Sequence, residues 1–208
     1  MKKTLILTAL TLAPILSVQA NDKLSYEYID FGYTHSEGEL TSDKAGYKLS
    51  LSQSLSDSWY LKAGLQSQSA DVWPDGSTAD VTAQEYSFAI GFHVPTSRTH
   101  DFFMDVGYIK FDGTDIIPQS TYGNDDEGLM TNLGLRGRLS TSWEYSVFAG
   151  YKDYDYSTYV NEALHEDSNS AVYGFEGRYY LSQNWSFGVN VSEQITGLTS
   201  GFDFRYNL

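Results

Sequence analysis

Apolar and polar residues alternate with a period of two along most of the chain. This alternation is the pattern of a β-strand with one apolar face and one polar face. Ten such segments can be counted, which predicts ten strands. One apolar residue from each segment, in chain order, is Phe31, Leu49, Leu61, Phe88, Met104, Leu133, Val147, Phe175, Val189 and Phe204.

A five-residue pattern recurs between these segments: Leu, Ser, any residue, Ser or Asn, then Trp. It starts at Leu55, Leu139 and Leu181, which are 84 and 42 residues apart. The same spacing places a fourth turn near residue 97, where Pro95–His100 is rich in turn residues. Short turns alternating with longer loops predict an antiparallel up-and-down arrangement. The longer polar segments lie at about 36–43, 68–81, 112–127, 153–168 and 193–197.

The charged residues inside the predicted strands lie on the phase opposite to the apolar series. A Lys or Arg facing lipid near the middle of a bilayer costs about 2–4 kcal/mol. We therefore predict that the apolar phase faces lipid and the charged phase faces the lumen of a closed transmembrane β-barrel. Lys110 is a basic exception, and it lies at the loop end of its strand, where its stem can snorkel to the headgroups. The predicted lumen charges are Asp30, Lys48, Lys62, Glu85, Asp105, Arg136, Arg138, Glu144, Lys152, Glu176, Arg178, Asp203 and Arg205.

Three tryptophans separate this prediction from a water-soluble β-sandwich, which shows the same alternation with its apolar series in a shared core. Trp59, Trp143 and Trp185 each open a strand directly after a short turn and lie on the apolar phase. In a sandwich they would fill the core. In a barrel all three stand at one membrane interface, so we predict a periplasmic aromatic girdle.

The first twenty residues resemble a secretory signal peptide. Lys2 and Lys3 precede an apolar stretch from Leu5 to Leu16, and Ser17–Ala20 has the character of a cleavage site. The expected organisation is a cleaved signal peptide at 1–20 and a single barrel domain at 21–208. The sequence has no cysteine, so disulfides are not expected. No later segment has the roughly 20 consecutive apolar residues of a spanning helix.

These features resemble the small outer-membrane β-barrel proteins grouped as OmpA-like, Ail/OmpX-like and porin-family barrels. The resemblance covers 21–208 and is carried by the Leu-Ser-x-Ser/Asn-Trp turns, the Gly134–Arg136 run and the alternating C-terminal segment Phe202–Leu208. It implies the outer membrane of a Gram-negative bacterium and insertion by the barrel-assembly machinery. Family members usually end on an aromatic residue, whereas this chain ends on Leu208. They commonly have eight strands, so eight remains the alternative to ten.

The predicted lumen set has seven basic and six acidic residues. Charges inside a narrow barrel are expected to pair, because an unpaired buried ion is costly. We therefore predict a lumen plugged by ion pairs and a structural or surface-interaction role, in envelope integrity, adhesion or partner binding. A narrow porin-like conduit for small solutes is the alternative.

The predicted loops are strongly acidic, with only Lys44 and Lys110 as basic residues. Clusters such as Asp125–Glu127 are candidates for sharing divalent cations with lipopolysaccharide phosphates, although the solubility of an exposed loop is the favoured explanation. Tyr154, Tyr156 and Tyr159 are candidates for an upper interfacial belt or a recognition surface. The acidic loop residues are Glu37, Glu39, Asp43, Asp71, Asp75, Asp80, Asp112, Asp115, Asp125, Asp126, Glu127, Asp153, Asp155, Glu162, Glu166, Asp167 and Glu193.

Catalysis has one weak candidate, the run of His35, Ser36, Glu37 and Glu39, because a base beside a hydroxyl can activate it. Neighbouring strand residues point to opposite faces, however, so we expect no enzyme, with a lipid-modifying activity as a distant alternative. The other histidines are isolated, and we expect no metal and no cofactor. The formal charge of −14 becomes −16 without Lys2 and Lys3, which argues against a nucleic-acid partner. The expected partners are outer-membrane lipid and lipopolysaccharide, with an unidentified extracellular partner and a monomeric barrel.

Overall fold

A computed structural model describes residues 24–37, 43–72, 79–113, 124–155, 168–194 and 197–208. Within these ranges the chain forms ten β-strands. The predicted signal peptide, 1–20, lies outside the described residues. The strands are β1 (Tyr28–Ser36), β2 (Lys44–Ser54), β3 (Trp59–Val72), β4 (Ala79–Pro95), β5 (His100–Gly113), β6 (Asn124–Arg138), β7 (Trp143–Asp155), β8 (Ser168–Tyr180), β9 (Trp185–Gln194) and β10 (Gly197–Asn207).

Every strand pairs antiparallel with its neighbours in sequence, and β1 pairs with β10 to close the sheet into a barrel. In the closing seam Asp30 lies opposite Arg205 and Phe31 opposite Phe204. The all-β up-and-down barrel of ten strands is confirmed, and the eight-strand alternative is wrong. Closure pairs the backbone N–H and C=O groups along the seam. In an open sheet within a membrane, these groups of the edge strands would have no partner.

The distribution of side chains is inverted relative to a water-soluble protein. Large apolar residues lie on the outside, where Phe31 is 56% exposed and Leu133 is 51% exposed. Charged residues fill the inside, where Asp203 is fully buried and Arg178 is 1% exposed. Both faces follow the alternation of the sequence, because successive strand residues point to opposite sides of the sheet. No helix among the described residues has the length and hydropathy to cross a membrane.

The repeated pattern forms the short turns at one end of the barrel, which we call the turn end. In each tryptophan-containing copy the serine Oγ accepts the backbone N–H of the tryptophan, at 3.0–3.2 Å. The backbone N–H of the leucine donates to the tryptophan carbonyl at 2.7–2.9 Å. The predicted fourth turn uses the same bond, from Thr96 to His100 at 2.8 Å. The serine side chain therefore supplies an acceptor that the short turn lacks.

The opposite end of the barrel, which we call the loop end, has taller walls than the sequence predicted. Strands β3 to β8 continue into segments that we assigned to loops, so the breaks between them narrow to 73–78, 114–123 and 156–167. Asp71, Asp80, Asp153 and the cluster Asp125–Glu127 lie on strands. Outside a membrane both faces of a sheet are wetted, so alternation disappears while hydrogen bonding continues. The change from an alternating to a polar sequence therefore marks the edge of the apolar band and not the end of the strands.

Candidate functional site

The largest group of lumen charges surrounds Arg178 and Arg205. The Nη2 atom of Arg178 lies 2.5 Å from the Asp203 carboxylate and 2.5 Å from the Glu176 carboxylate. Arg205 holds Asp30 through two hydrogen bonds of 2.7 and 2.8 Å. These residues come from β8, β10 and β1, which the closed seam brings together. Opposite charges at such short distances compensate for the loss of hydration on burial.

Three further groups lie around the lumen. Arg136 Nε donates to Glu144 at 2.7 Å, and the Glu144 carboxylate also accepts the Tyr180 hydroxyl at 2.7 Å. Asp105 accepts the Tyr60 hydroxyl at 2.5 Å and lies 3.6 Å from the Lys62 ammonium. The last group is an ion pair across the lumen, in which the Lys152 ammonium on β7 contacts the Glu85 carboxylate on β4 at 2.7 Å.

The thirteen predicted lumen residues thus lie inside the barrel, and ion pairs join acidic members of the set to basic ones around the lumen. Arg138 is placed differently, at the turn end. Its guanidinium lies 4.3 Å over the Tyr180 ring and donates to the Thr141 carbonyl at 3.2 Å. A side chain at this position is anchored by a ring and by the backbone of the turn.

Aromatic residues form the lower part of the lumen, and our sequence reasoning missed them. Tyr60 and Tyr180 lie on the inward phase of their strands, and Tyr28 carries the Arg205 guanidinium 3.8 Å over its ring. Tyr26, which precedes β1, is also buried. Burial raises the pKa of the Tyr26 phenol well above its usual range, which keeps it neutral. The predicted lumen set contains only charged residues. Tyr28, Tyr60 and Tyr180 lie on the same inward phase and can be found in the sequence by the same alternation.

Above these rings the lumen contains a cavity of about 170 Å³. Its walls combine aromatic rings with the charges of the ion-pair groups. Empty apolar space of similar size, about 150 Å³, holds a benzene-sized molecule, and polar space holds water instead. Residues that line the cavity include Tyr26, Tyr60, Lys62, Phe103, Asp105, Asn132, Arg136, Ser146 and Phe148.

Two of the candidate catalytic residues, His35 and Ser36, lie on opposite sides of the barrel wall. The Ser36 hydroxyl is buried inside, 2.8 Å from the Thr199 hydroxyl. The His35 ring is 3.6 Å from the Asp43 carboxylate, and its side chain is 41% exposed. Glu39 lies outside the described residues. Within the described ranges no group of three or more His, Asp or Glu residues is arranged to hold a metal ion.

The predicted girdle tryptophans occupy the outer face at the turn end, each opposite an aromatic residue of the next strand. Trp59 faces Phe92, Trp143 faces Tyr179 and Trp185 faces Tyr206, with ring centroids 4.9–5.0 Å apart. The repeat therefore builds the same cross-strand aromatic pair three times around the barrel. Such pairs stabilise a sheet beyond the area they bury.

A second aromatic belt lies higher on the outer face. Tyr47, Tyr108, Tyr151 and Tyr173 are 42–62% exposed. Each stands eight residues from the residue that closes its short turn, which is Leu55, His100, Trp143 or Leu181. Eight residues cover about 26 Å of strand, or roughly 20 Å after the usual tilt, which is close to the apolar band of outer-membrane barrels. The sequence predicts an upper belt or a recognition surface at Tyr154, Tyr156 and Tyr159; the last two lie outside the described residues.

Comparison with known proteins gives structural neighbours only. No family model and no curated protein matches the sequence. The structure is similar to a bacterial polysaccharide outer membrane secretin, with a TM-score of 0.50 and 8% identity over 89% of this chain and 100% of that chain. It is also similar to the NanC porin, with a TM-score of 0.51 and 8% identity over 86% of this chain and 99% of that chain. This chain has the fold of an outer-membrane β-barrel.

An outer-membrane barrel explains both the apolar exterior and the two aromatic belts. The tryptophan girdle and the tyrosine belt border a band of exposed aliphatic and aromatic residues. Such a band is unfavourable in water and favourable in lipid. Fold and surface together indicate that the protein spans an outer membrane, as predicted.

Proposed function

We propose that this barrel has a closed lumen and acts through its outer surface and its loop end, in envelope integrity, adhesion or partner binding. The observation that supports a closed lumen is the pairing of its charges across the barrel. The pair between Glu85 and Lys152 joins β4 to β7. Arg136 on β6 donates to the carbonyl of Ser25, which lies just before β1, at 2.8 Å. Strands β6 and β1 lie on opposite walls of the ten-strand barrel.

These cross-lumen contacts oppose the passage of solutes. A hydrated ion or sugar entering the lumen has to separate charges that are 2.5–2.7 Å apart and mostly shielded from solvent. Removing one partner of a buried pair costs about 3–5 kcal/mol, because the other charge is left without compensation. A channel with several such pairs in series is therefore expected to conduct poorly.

The second candidate, a narrow conduit for small solutes, is favoured by the cavity of about 170 Å³ inside the lumen and by the likeness to a porin fold. Single-channel recording in planar bilayers distinguishes the two. We expect no stable open steps from the protein. The double variant Glu85→Ala with Lys152→Ala removes the bridge between β4 and β7 and is expected to increase conductance, whereas the surface variant Asp153→Asn is not. Stable open steps from the unchanged protein would reject the closed lumen.

Lipopolysaccharide is the proposed partner of the acidic loop end, joined through divalent cations. Carboxylate and phosphate oxygens are ligands that Ca²⁺ and Mg²⁺ prefer. Urea unfolding should be compared in vesicles with and without lipopolysaccharide, each with Mg²⁺ or with EDTA. A ligand that binds only the folded state raises the unfolding midpoint. We therefore expect a higher midpoint only when lipopolysaccharide and Mg²⁺ are both present. Equal midpoints in all four samples would reject this partner.

A further inference from the structure

The residues just before β1 enter the barrel instead of leaving it. We call Leu24–Glu27 the stopper segment. Its Tyr26 side chain is 6% exposed and lies between two rings of the barrel wall. The ring of His93 stacks on it with centroids 3.9 Å apart and planes at 15°, and the ring of Tyr60 lies 4.7 Å away.

The backbone of the stopper segment is also fixed, by bonds from several parts of the barrel. Arg136 Nη1 donates to the Ser25 carbonyl at 2.8 Å, and Ser52 Oγ donates to the Tyr26 carbonyl at 2.7 Å. The Leu208 backbone N–H donates to the Glu27 carbonyl at 3.0 Å. The donors belong to β6, to β2 and to the C-terminus, so the segment crosses the turn end and ties its sides together.

The position of Tyr26 coincides with the lower boundary of the lumen cavity, since Tyr26, Tyr28 and Tyr60 line that cavity. Arg136 contributes twice, because its guanidinium lies 4.9 Å over the Tyr26 ring and also holds the segment backbone. A ring held by stacking and by a cation is well placed, but no covalent bond retains it. Withdrawal of four residues would remove the floor without breaking a strand.

We propose that the stopper segment closes the turn end of the lumen with Tyr26, and that its withdrawal opens the cavity to the periplasm. Closure then has two layers: ion pairs between the walls and a removable aromatic ring below them.

Single-cysteine labelling can test this proposal cleanly, because the sequence has no cysteine. Ser146, which lines the cavity, becomes the reporter as Ser146→Cys. The protein is folded into preformed vesicles, and a charged, membrane-impermeant methanethiosulfonate reagent is added outside. A separate Ser56→Cys protein, with its cysteine in a short turn, measures the fraction whose turn end faces the reagent. Only protein with the gel mobility of the folded barrel is scored.

In the Ser146→Cys background we expect slow labelling, and at least a tenfold faster rate when Tyr26→Ala is added. Tyr26→Phe keeps the ring and should label slowly. Tyr145→Ala, on the outer face near the same end, is the matched control. His93→Ala removes the ring that stacks on Tyr26 but leaves the sequence of the stopper segment unchanged, and it should also increase the labelling rate.

The outcomes separate the stopper from the closed lumen. An unchanged rate in folded Tyr26→Ala protein would overturn the stopper while leaving slow labelling of the parent consistent with a closed lumen. An equal increase with Tyr145→Ala would also overturn it, since loosening of the whole barrel would then explain the result. Fast labelling of the parent protein would contradict both proposals.

Discussion

Buried carboxylates in the lumen are held by several donors each. Asp203, which has no exposed surface, contacts Arg178 at 2.5 Å, Lys48 at 2.9 Å and the Asn190 amide at 3.3 Å. A carboxylate with three donors fixes the position of both cations. Loss of its charge therefore disturbs more than one pair.

The first prediction concerns this carboxylate. Asp203→Asn leaves Arg178 and Lys48 without their shared anion in a buried site. We expect the free energy of unfolding to fall by about 3–5 kcal/mol, measured by urea unfolding in phospholipid vesicles. Asp153→Asn, an exposed acid near the loop end, should have little effect. A loss no larger than that of the control would show that the lumen pairs do not stabilise the barrel.

The second prediction concerns the hydroxyl of Tyr60. Tyr60→Phe keeps the ring but removes a donor to Asp105, which also pairs with Lys62 at 3.6 Å. Leaving a buried acceptor less satisfied costs about 1–3 kcal/mol. The same unfolding measurement applies, with Tyr47→Phe on the exposed outer face as its control. Equal stability of the two variants would contradict a role for this hydrogen bond.

Gly91 is required by the same contact. A Cβ at position 91 would overlap the Tyr60 ring and approach the Asp105 carboxylate at 2.7 Å. The ring can lie flat against the wall of β4 only because this residue has no side chain. The sequence shows an inward glycine here, but the need for it comes from a tyrosine on the neighbouring strand.

At the scale of the elements, the repeat produces both a turn and an interface anchor. The serine closes the turn, and the tryptophan two positions after the turn's centre begins the next strand on its outer face. Because the four short turns are spaced by roughly one hairpin, the tryptophans recur at the same height. A repeat in sequence thus becomes a ring around the barrel.

The third prediction tests the position of this ring. In a Trp73→Phe background, which leaves only the girdle tryptophans, we expect fluorescence to be quenched by lipids with brominated acyl chains. Quenching should be strongest for bromines near the headgroup, because indoles prefer the interface. Fluorescence spectra in vesicles of lipids brominated at different depths provide the measurement. Absence of quenching would mean that the rings are shielded from lipid.

At the scale of the whole molecule, the outside is the apolar surface and the inside is the polar one. Folding of this barrel therefore depends on a solvent that accepts apolar surface. The stability of the lumen network and that of the lipid-facing surface are linked, because closure of β1 on β10 creates both at once.

The fourth prediction follows from this arrangement. Without detergent or lipid the protein should fail to give a monodisperse folded species, and in detergent micelles or vesicles it should fold and resist unfolding. Light scattering after size exclusion and the heat-dependent shift in gel mobility measure the two states. A monodisperse folded protein in plain buffer would contradict the lipid-facing assignment of the apolar stripe.

The alternation of residues alone was sufficient for strand number, strand direction and the face of nearly every side chain. This is because a strand has a side-chain period of two, and a charge facing lipid is strongly disfavoured. The girdle could be located for the same reason, since each tryptophan follows a turn that the sequence itself repeats. The height of the walls could not be predicted, because strands beyond the membrane lose the alternation that marks them.

Only the tertiary structure decided which lumen charges meet. Lys152 and Glu85 are 67 residues apart in sequence, and their contact depends on how the barrel closes and where each strand sits in register. The stopper segment is the clearest case, because Leu24–Glu27 has no strand pattern and its place is set by rings and donors from distant strands. Local alternation specifies a face, whereas a partner across the lumen is specified by the closed shape.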